Sequence, residues 1–433
     1  MFSPLSNPLR LIAVLLALFL GGAAFPSNAN TPLPPELRPR DGLPHVAAKL
    51  AANGEIRVAF LGGSITAADG WRPGILSRLR QTYPNTAFAE IFAAIPGTGS
   101  DFGVARLQDQ VLKHSPDLLF VEFAVNDTGR DPAAIRRSME GIVRQTRRAS
   151  PDTDLCFVYT LSSAGLPALE AGRDPAPAAA MEQVADHYGV PSINFGIEVV
   201  RRLQTGELIF AGKAPSSDVI VFTVDKTHPT PAGHRIYTDV LARSLFSLVT
   251  NPATPSQRPL PDPLENDNSE GARLVPLGTL AHDDTWIPLP ANDDRFRASP
   301  SILRRPTWVA ARPGPVLEFT FAGTAFGFAG LKGPDAGQFT VQVDELPSVT
   351  GTLFDNYSLA GRYRVRPWFY PNQLPLGPHH VRVTLLPDGP DKATLLRQPA
   401  ATLAADPTFA RNVLTVSDLI LVGPEKTRQR RTD

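Results

Sequence analysis

The chain predicts an α/β architecture, a three-layer α/β/α arrangement around a parallel sheet, followed by a C-terminal all-β sandwich. Between residues 43 and 250, short apolar runs alternate with helical periods. Residues 251–270 are proline-rich and polar, without periodicity, and read as a linker. From 271 to 425 the helical period disappears, and short valine-, phenylalanine- and leucine-rich runs are separated by glycine, proline or aspartate. The total of 433 residues is more than one average domain holds.

In the first part, residues 56–61 form an apolar run that meets a turn at Gly62-Gly63, the pattern of a buried strand. Residues 71–83 carry Ile75, Leu76 and Leu79 at helical spacing and stop before Pro84. Strands are expected at 87–95, 117–125, 155–161 and 191–194, with helices at 104–114 and 181–188 between them. Residues 135–149 place Ile135, Met139, Ile142 and Val143 on one face and five arginines largely on the other, an amphipathic helix whose arginines are expected to face solvent. Strand alternating with helix implies crossovers, hence a parallel sheet covered on both faces. In the second part, strands are expected at 316–321, 325–331, 339–343, 380–386 and 416–422, and 338–343 alternates plainly.

Lysine plus arginine equals aspartate plus glutamate, 42 each, so no basic stripe points to a nucleic-acid partner. The 44 prolines, roughly twice the average usage of about 5%, argue for long ordered loops and against an all-helical fold. Arg10 followed by an apolar run from Leu11 to Phe25 and small residues near Ala29 reads as a signal peptide over residues 1–29, placing the mature protein in the periplasm or outside the cell. No later segment has the length and apolarity of a membrane span. Cys156, the single cysteine, sits in an apolar run and reads as a core residue, and no cluster has metal-ligand spacing. A basic tail occupies residues 426–431.

The chemistry concentrates in four islands. Gly62-Gly63-Ser64-Ile65-Thr66 ends the first strand, where open α/β sheets bind ligands, and the glycines let a serine hydroxyl stand above the sheet. Serine needs a base at neutral pH, and Asp225-Lys226-Thr227-His228-Pro229 offers an imidazole with a carboxylate three residues earlier to orient it. His234 is the rival base, but it lacks a carboxylate at that spacing and reads as a residue of the following helix. Ile95-Pro96-Gly97-Thr98-Gly99 follows the second strand, and Val125-Asn126-Asp127 the third.

In this order the four islands resemble the SGNH, or GDSL-type, hydrolases over residues 54–248. The resemblance implies a flavodoxin-like sheet, an ester-hydrolysing activity and no cofactor or metal. It makes Ser64 the nucleophile, with Asp225 and His228 completing the triad. It also implies an oxyanion hole built from the Ser64 amide, the Gly97 amide (Gly99 if the register differs by two) and the Asn126 side chain. Departures are Gly63 where aspartate is common, Ala124 where glycine usually precedes the Asn-Asp pair, and Phe92 where asparagine is frequent.

Export and an appended β-sandwich resemble carbohydrate esterases, which implies hydrolysis of O-acyl, chiefly O-acetyl, esters on a small molecule or polysaccharide. An O-acyltransferase with the same triad, or a lipase-like esterase acting on small lipidic esters, are the alternatives. Trp71 is a candidate wall of the acyl pocket or a cap on its helix. Trp368-Phe369-Tyr370, with Arg364 and Arg366 beside them, reads first as sandwich packing and second as a sugar-stacking platform.

Overall fold

The computed structural model describes residues 32–250, 260–280, 285–296 and 305–424. The expected signal peptide and the basic tail lie outside the described residues.

The first sheet is built from β1 (Leu37–Arg38), β2 (Ile56–Gly62), β3 (Phe88–Ala94), β4 (Leu118–Glu122), β5 (Asp154–Tyr159) and β6 (Ser192–Asn194). Its spatial order is β1-β6-β5-β4-β2-β3; β1 pairs antiparallel at one edge and every other pair is parallel. Counted among the parallel strands alone, the order is 2-1-3-4-5, the flavodoxin-like arrangement. The helices are α1 (Pro44–Ala51), α2 (Ser64–Ala67), α3 (Trp71–Thr82), α4 (Ser100–Gln110), α5 (Pro132–Ala149), α6 (Leu166–Glu170), α7 (Ala176–Tyr188), α8 (Gly196–Gln204) and α9 (Pro231–Thr250).

Successive strand residues point to opposite faces, and each face has its own core. Phe60, Phe120 and Val158 pack with Val46, Ile75, Val200 and Leu241 from α1, α3, α8 and α9. Leu61, Val121 and Phe157 pack with Val104, Leu107, Ile142 and Met181 from α4, α5 and α7. Cys156 is fully buried in the first of these cores, and burial pushes its thiol pKa up, so it is inert there. A small parallel pair, β7 (Leu208–Ala211) and β8 (Ile220–Thr223), lies outside the main sheet.

The second part is a sandwich of antiparallel sheets, as its alternating runs predict. One sheet holds β10 (Trp286–Pro288), β11 (Trp308–Ala310), β18 (Leu414–Val422), β13 (Ala325–Lys332) and β16 (Arg364–Phe369) in that order, with β9 (Ala272–Pro276) also paired to β18. The other runs β12 (Gly314–Gly323), β17 (Gly377–Leu385), β14 (Gln338–Val343) and β15 (Val349–Thr352). Phe326 and Phe328 meet Phe339, Val341 and Val383 between them. Ala272, Ala329, Ile420 and Val422 join the core formed by α4 and α5, so one sheet of the sandwich is packed onto the α/β layer.

The α5 arginines correct an expectation, because they do not simply face solvent. Arg136 pairs with Glu265, Arg137 with Asp267, and both Arg144 and Arg148 with Glu270, while Arg147 donates to the Tyr188 carbonyl. Polar residues on one helix face look solvated only until another segment is laid over them. Here that segment is the chain from Leu260 to Gly271.

Candidate active site

The parallel strand order reverses at β2, whose neighbours are β3 and β4, and three of the four islands leave the sheet there. A crevice opens at such a switch point because the crossovers on its two sides run to opposite faces. Ser64 begins the single-turn α2 directly after β2 and Gly63. A Cβ on Gly63 would fall onto the Asn126 side-chain amide, so the glycine is what lets the loop after β4 close against the nucleophile loop. The aspartate expected from the resemblance therefore has no room at position 63.

The base comes from the far end of the domain. The chain turns back on itself between β8 and α9, with Val224 N–H donating to the His228 carbonyl at 3.0 Å and Thr230 N–H to the Phe222 carbonyl at 2.8 Å. Lys226 takes φ +69°, and its carbonyl accepts from Ser163 N–H at 2.9 Å, which ties the turn to the loop after β5. Asp225 Oδ1 accepts from the amides of Thr227 and His228 at 3.0 and 2.7 Å, leaving Oδ2 for the imidazole. Asp225 Oδ2 lies 2.7 Å from His228 Nδ1, and His228 Nε2 lies 2.8 Å from Ser64 Oγ. Burial acts to raise the Asp225 pKa, but the bonds from the His228 amide, the His228 ring and the Thr227 amide outweigh it and hold the carboxyl below its ordinary range. An ionised Asp225 favours Nδ1–H, which leaves Nε2 as an acceptor facing the Ser64 hydroxyl.

The second island is a tight Pro-Gly turn. Thr98 N–H donates to the Ile95 carbonyl at 3.3 Å and Gly97 has φ +68°, a conformation open to glycine at little cost. Ile95 N–H donates to the Gly62 carbonyl at 3.0 Å, so this turn is anchored to the strand that carries Ser64. Asp127, fully buried, joins the third island to the second: its Oδ1 accepts from Ser100 N–H at 3.1 Å and from Arg130 at 3.0 Å. Asn126 is half-buried, and Gly97 is exposed.

Two buried charges beneath the site were not singled out from sequence. Glu122 accepts from Thr66 Oγ1 at 2.8 Å and Thr160 Oγ1 at 2.6 Å, and also from the Gly63 amide. Burial raises its pKa. Arg106, fully buried, reaches the carbonyls of Ala93 and Gly62 at the ends of β3 and β2, and burial lowers its pKa to about 9. The visible signal for Glu122 was a lone carboxylate inside the apolar run Leu118-Leu119-Phe120-Val121-Glu122-Phe123.

Trp71 is not a pocket wall. It is 0% exposed and makes edge contacts with the rings of Phe60, Phe120 and Phe195, because α3 turns that face into the core. His234 lies in the first turn of α9 and is buried, and burial lowers its pKa to about 4. Trp368 stacks on Phe328, and Tyr370 on Phe326, inside the sandwich, so the aromatic run is packing rather than a sugar platform.

The fold is of the three-layer α/β/α type, with the four islands gathered at its switch point. Residues 60–236 match the GDSL-like Lipase/Acylhydrolase family, so this part of the chain is a domain of that family and the protein is a carboxylic ester hydrolase by class. No curated protein matches the chain by sequence. Among solved structures, a two-domain esterase (CEX) active on acetylated mannans, co-crystallized with mannopentaose, is similar with TM-score 0.67 and 19% identity, over 90% of this chain and 97% of that one. A second structure of a two-domain esterase (CEX) active on acetylated mannans gives TM-score 0.67 and 20% identity, over 89% of this chain and 97% of that one. An acetylxylan esterase from Geobacillus stearothermophilus gives TM-score 0.35 at 16% identity, over 46% of this chain and 97% of that one. The two-domain likeness establishes the shared fold across both parts of the chain.

Proposed function

We propose that the protein removes O-acyl groups, chiefly O-acetyl, from a carbohydrate, with residues 43–250 as the catalytic domain and the β-sandwich of 271–425 appended after the 251–270 segment. The observation that carries this reading is the unbroken line Asp225 Oδ2, His228, Ser64 Oγ at 2.7 and 2.8 Å. In the reading, Ser64 Oγ attacks the ester carbonyl carbon while its proton passes to His228 Nε2. The Ser64 amide, the Gly97 amide and the Asn126 side chain hold the oxyanion. The imidazolium then gives its proton to the departing sugar oxygen as the ester C–O bond breaks; water, deprotonated by the same nitrogen, attacks the acyl-enzyme, and that proton returns to Ser64 Oγ as the acid is released.

Hydrolysis rather than transfer is supported by access. The side chains of His228 and Asp225 are 45% and 51% exposed, so water reaches the base freely. The likeness to an esterase active on acetylated mannans, in both parts of the chain, supports a carbohydrate as the alcohol. A polysaccharide substrate agrees with the export expected from residues 1–29. The test is acetate release from a panel of acetylated polysaccharides by the wild-type protein and by Ser64→Ala. The variant is expected to lose kcat by roughly 10⁴-fold or more while keeping its fold. Undiminished release by a folded Ser64→Ala protein would remove Ser64 from the mechanism.

A further inference from the structure

The β-sandwich reaches the site through one side chain. The guanidinium of Arg366, on β16, lies where a Cβ on Gly97 would stand, so the arginine rests directly on the exposed Pro-Gly turn. The cation has no hydrogen bond or ion pair among the described residues. Its neighbours do not neutralise it: Asp355 is taken up by Arg364 and by Lys332, whose Nζ lies 3.6 Å from Asp355 Oδ2, so three cations face a single carboxylate. Arg130, on the other side of the turn, is matched by Asp101 and Asp127. Arg366 is half-buried, and burial first, then the charge of Arg364, lowers its pKa to about 10. A half-desolvated, unmatched guanidinium weakens the fold unless an anion joins it.

We propose that Arg366 is a substrate-binding residue that accepts a carboxylate on the sugar carrying the acyl ester, so that the preferred substrate is an acylated acidic glycan. The proposal rests on the esterase reading above. A planar guanidinium matches a carboxylate with two parallel N–H···O bonds, and the turn it rests on carries Gly97, the amide assigned to the oxyanion in the reading above, and is tied to Gly62 just before the Ser64 loop. The cationic cluster of Lys332, Arg364 and Arg366 also favours encounter with an anionic chain.

The experiment compares acetate release from mono-O-acetylated methyl glucuronoside and from the matching acetylated methyl glucoside, which differ only in the carboxylate. For the wild-type protein at low salt, kcat/KM is expected to favour the uronoside by roughly 10- to 100-fold, and the preference shrinks as NaCl is added. In Arg366→Gln the ratio falls to within about threefold of unity; Arg366→Lys, which keeps the charge but not the fork, retains part of it. Thermal unfolding is followed for both variants, and their melting temperatures are expected to be at or above that of wild type. Equal rates on the two glycosides for the wild-type protein, or a preference that survives in folded Arg366→Gln, overturns the proposal. Acetate from neither glycoside nor from the polysaccharide panel brings down the esterase reading itself.

Discussion

Asn126 and Gly63 show how one absent side chain shapes the site. Gly63→Ala is expected to push the Asn126 amide out of place and lower kcat by roughly 10²-fold, the scale of losing one oxyanion donor, with little change in KM. Steady-state kinetics on an acetyl ester checks this, and an unchanged kcat would remove Asn126 from the reaction. His234 makes a prediction of a different kind. Burial, and then the nearby His228, lowers its pKa to about 4. The folded state thus binds fewer protons than the unfolded chain between about pH 6.5 and pH 4. Stability falls as pH drops through that window, by on the order of 2 kcal/mol from this group. Urea unfolding of wild type and His234→Gln at pH 7 and pH 4.5 measures it; the variant should lose less on acidification. Ser64, Asp225 and His228 were legible because each is marked locally, by glycines before it or by a three-residue spacing. Trp71 was not, since nothing within a few residues says which face of α3 is turned inward.

Along α5 the lesson concerns what lies outside an element. Its apolar stripe was plain from periodicity, but the acidic partners of its arginines come from more than a hundred residues later. Glu140 is 0% exposed and accepts from the amides of Leu264 and Glu265 at 2.7 and 2.8 Å and from Tyr188 at 2.6 Å. Glu140→Ala takes the acceptor from the buried Tyr188 hydroxyl and from the part-buried amides of Leu264 and Glu265. It is expected to cost about 3 kcal/mol and to open residues 260–270 to protease. A thermal melt with limited proteolysis tests it, and an unchanged digestion pattern would show that the arginine pairs alone hold the segment. Helix starts were less legible than strands: α4 begins at Ser100, four residues before the start expected at 104, because the Asp127 carboxylate from another loop receives the Ser100 amide.

For the whole molecule, the shared core is the feature with consequences. Phe102 and Val104 of α4 are buried in one cluster with Ile420 and Val422 of β18, and Arg305 joins Asp109 on α4 to Asp418 on β18. Separating the two parts would bare that apolar surface. A protein ending at residue 250 is therefore expected to aggregate or melt well below the full chain, and calorimetry of the full chain should show one transition rather than two. Two resolved transitions would mean that the interface contributes little. The same interface carries Arg366 to Gly97, so the truncated protein should also lack any preference for a carboxylate-bearing sugar.

The amino-acid sequence alone determined the architecture class and the chemical groups of the candidate site, because hydrophobic period, turn residues and short spacings are local properties. It also contained the lone Glu122, to which nothing local assigned a task, and the arginines of β16, which it offered only as part of an aromatic platform. The tertiary structure alone decided that 164 positions of chain close to a 2.8 Å contact between Ser64 and His228. It likewise decided that Trp71 is core, that α5 is covered, and that the sandwich touches the Pro-Gly turn. Those outcomes depend on which surfaces meet, and contact between distant segments is set by packing of the complete chain.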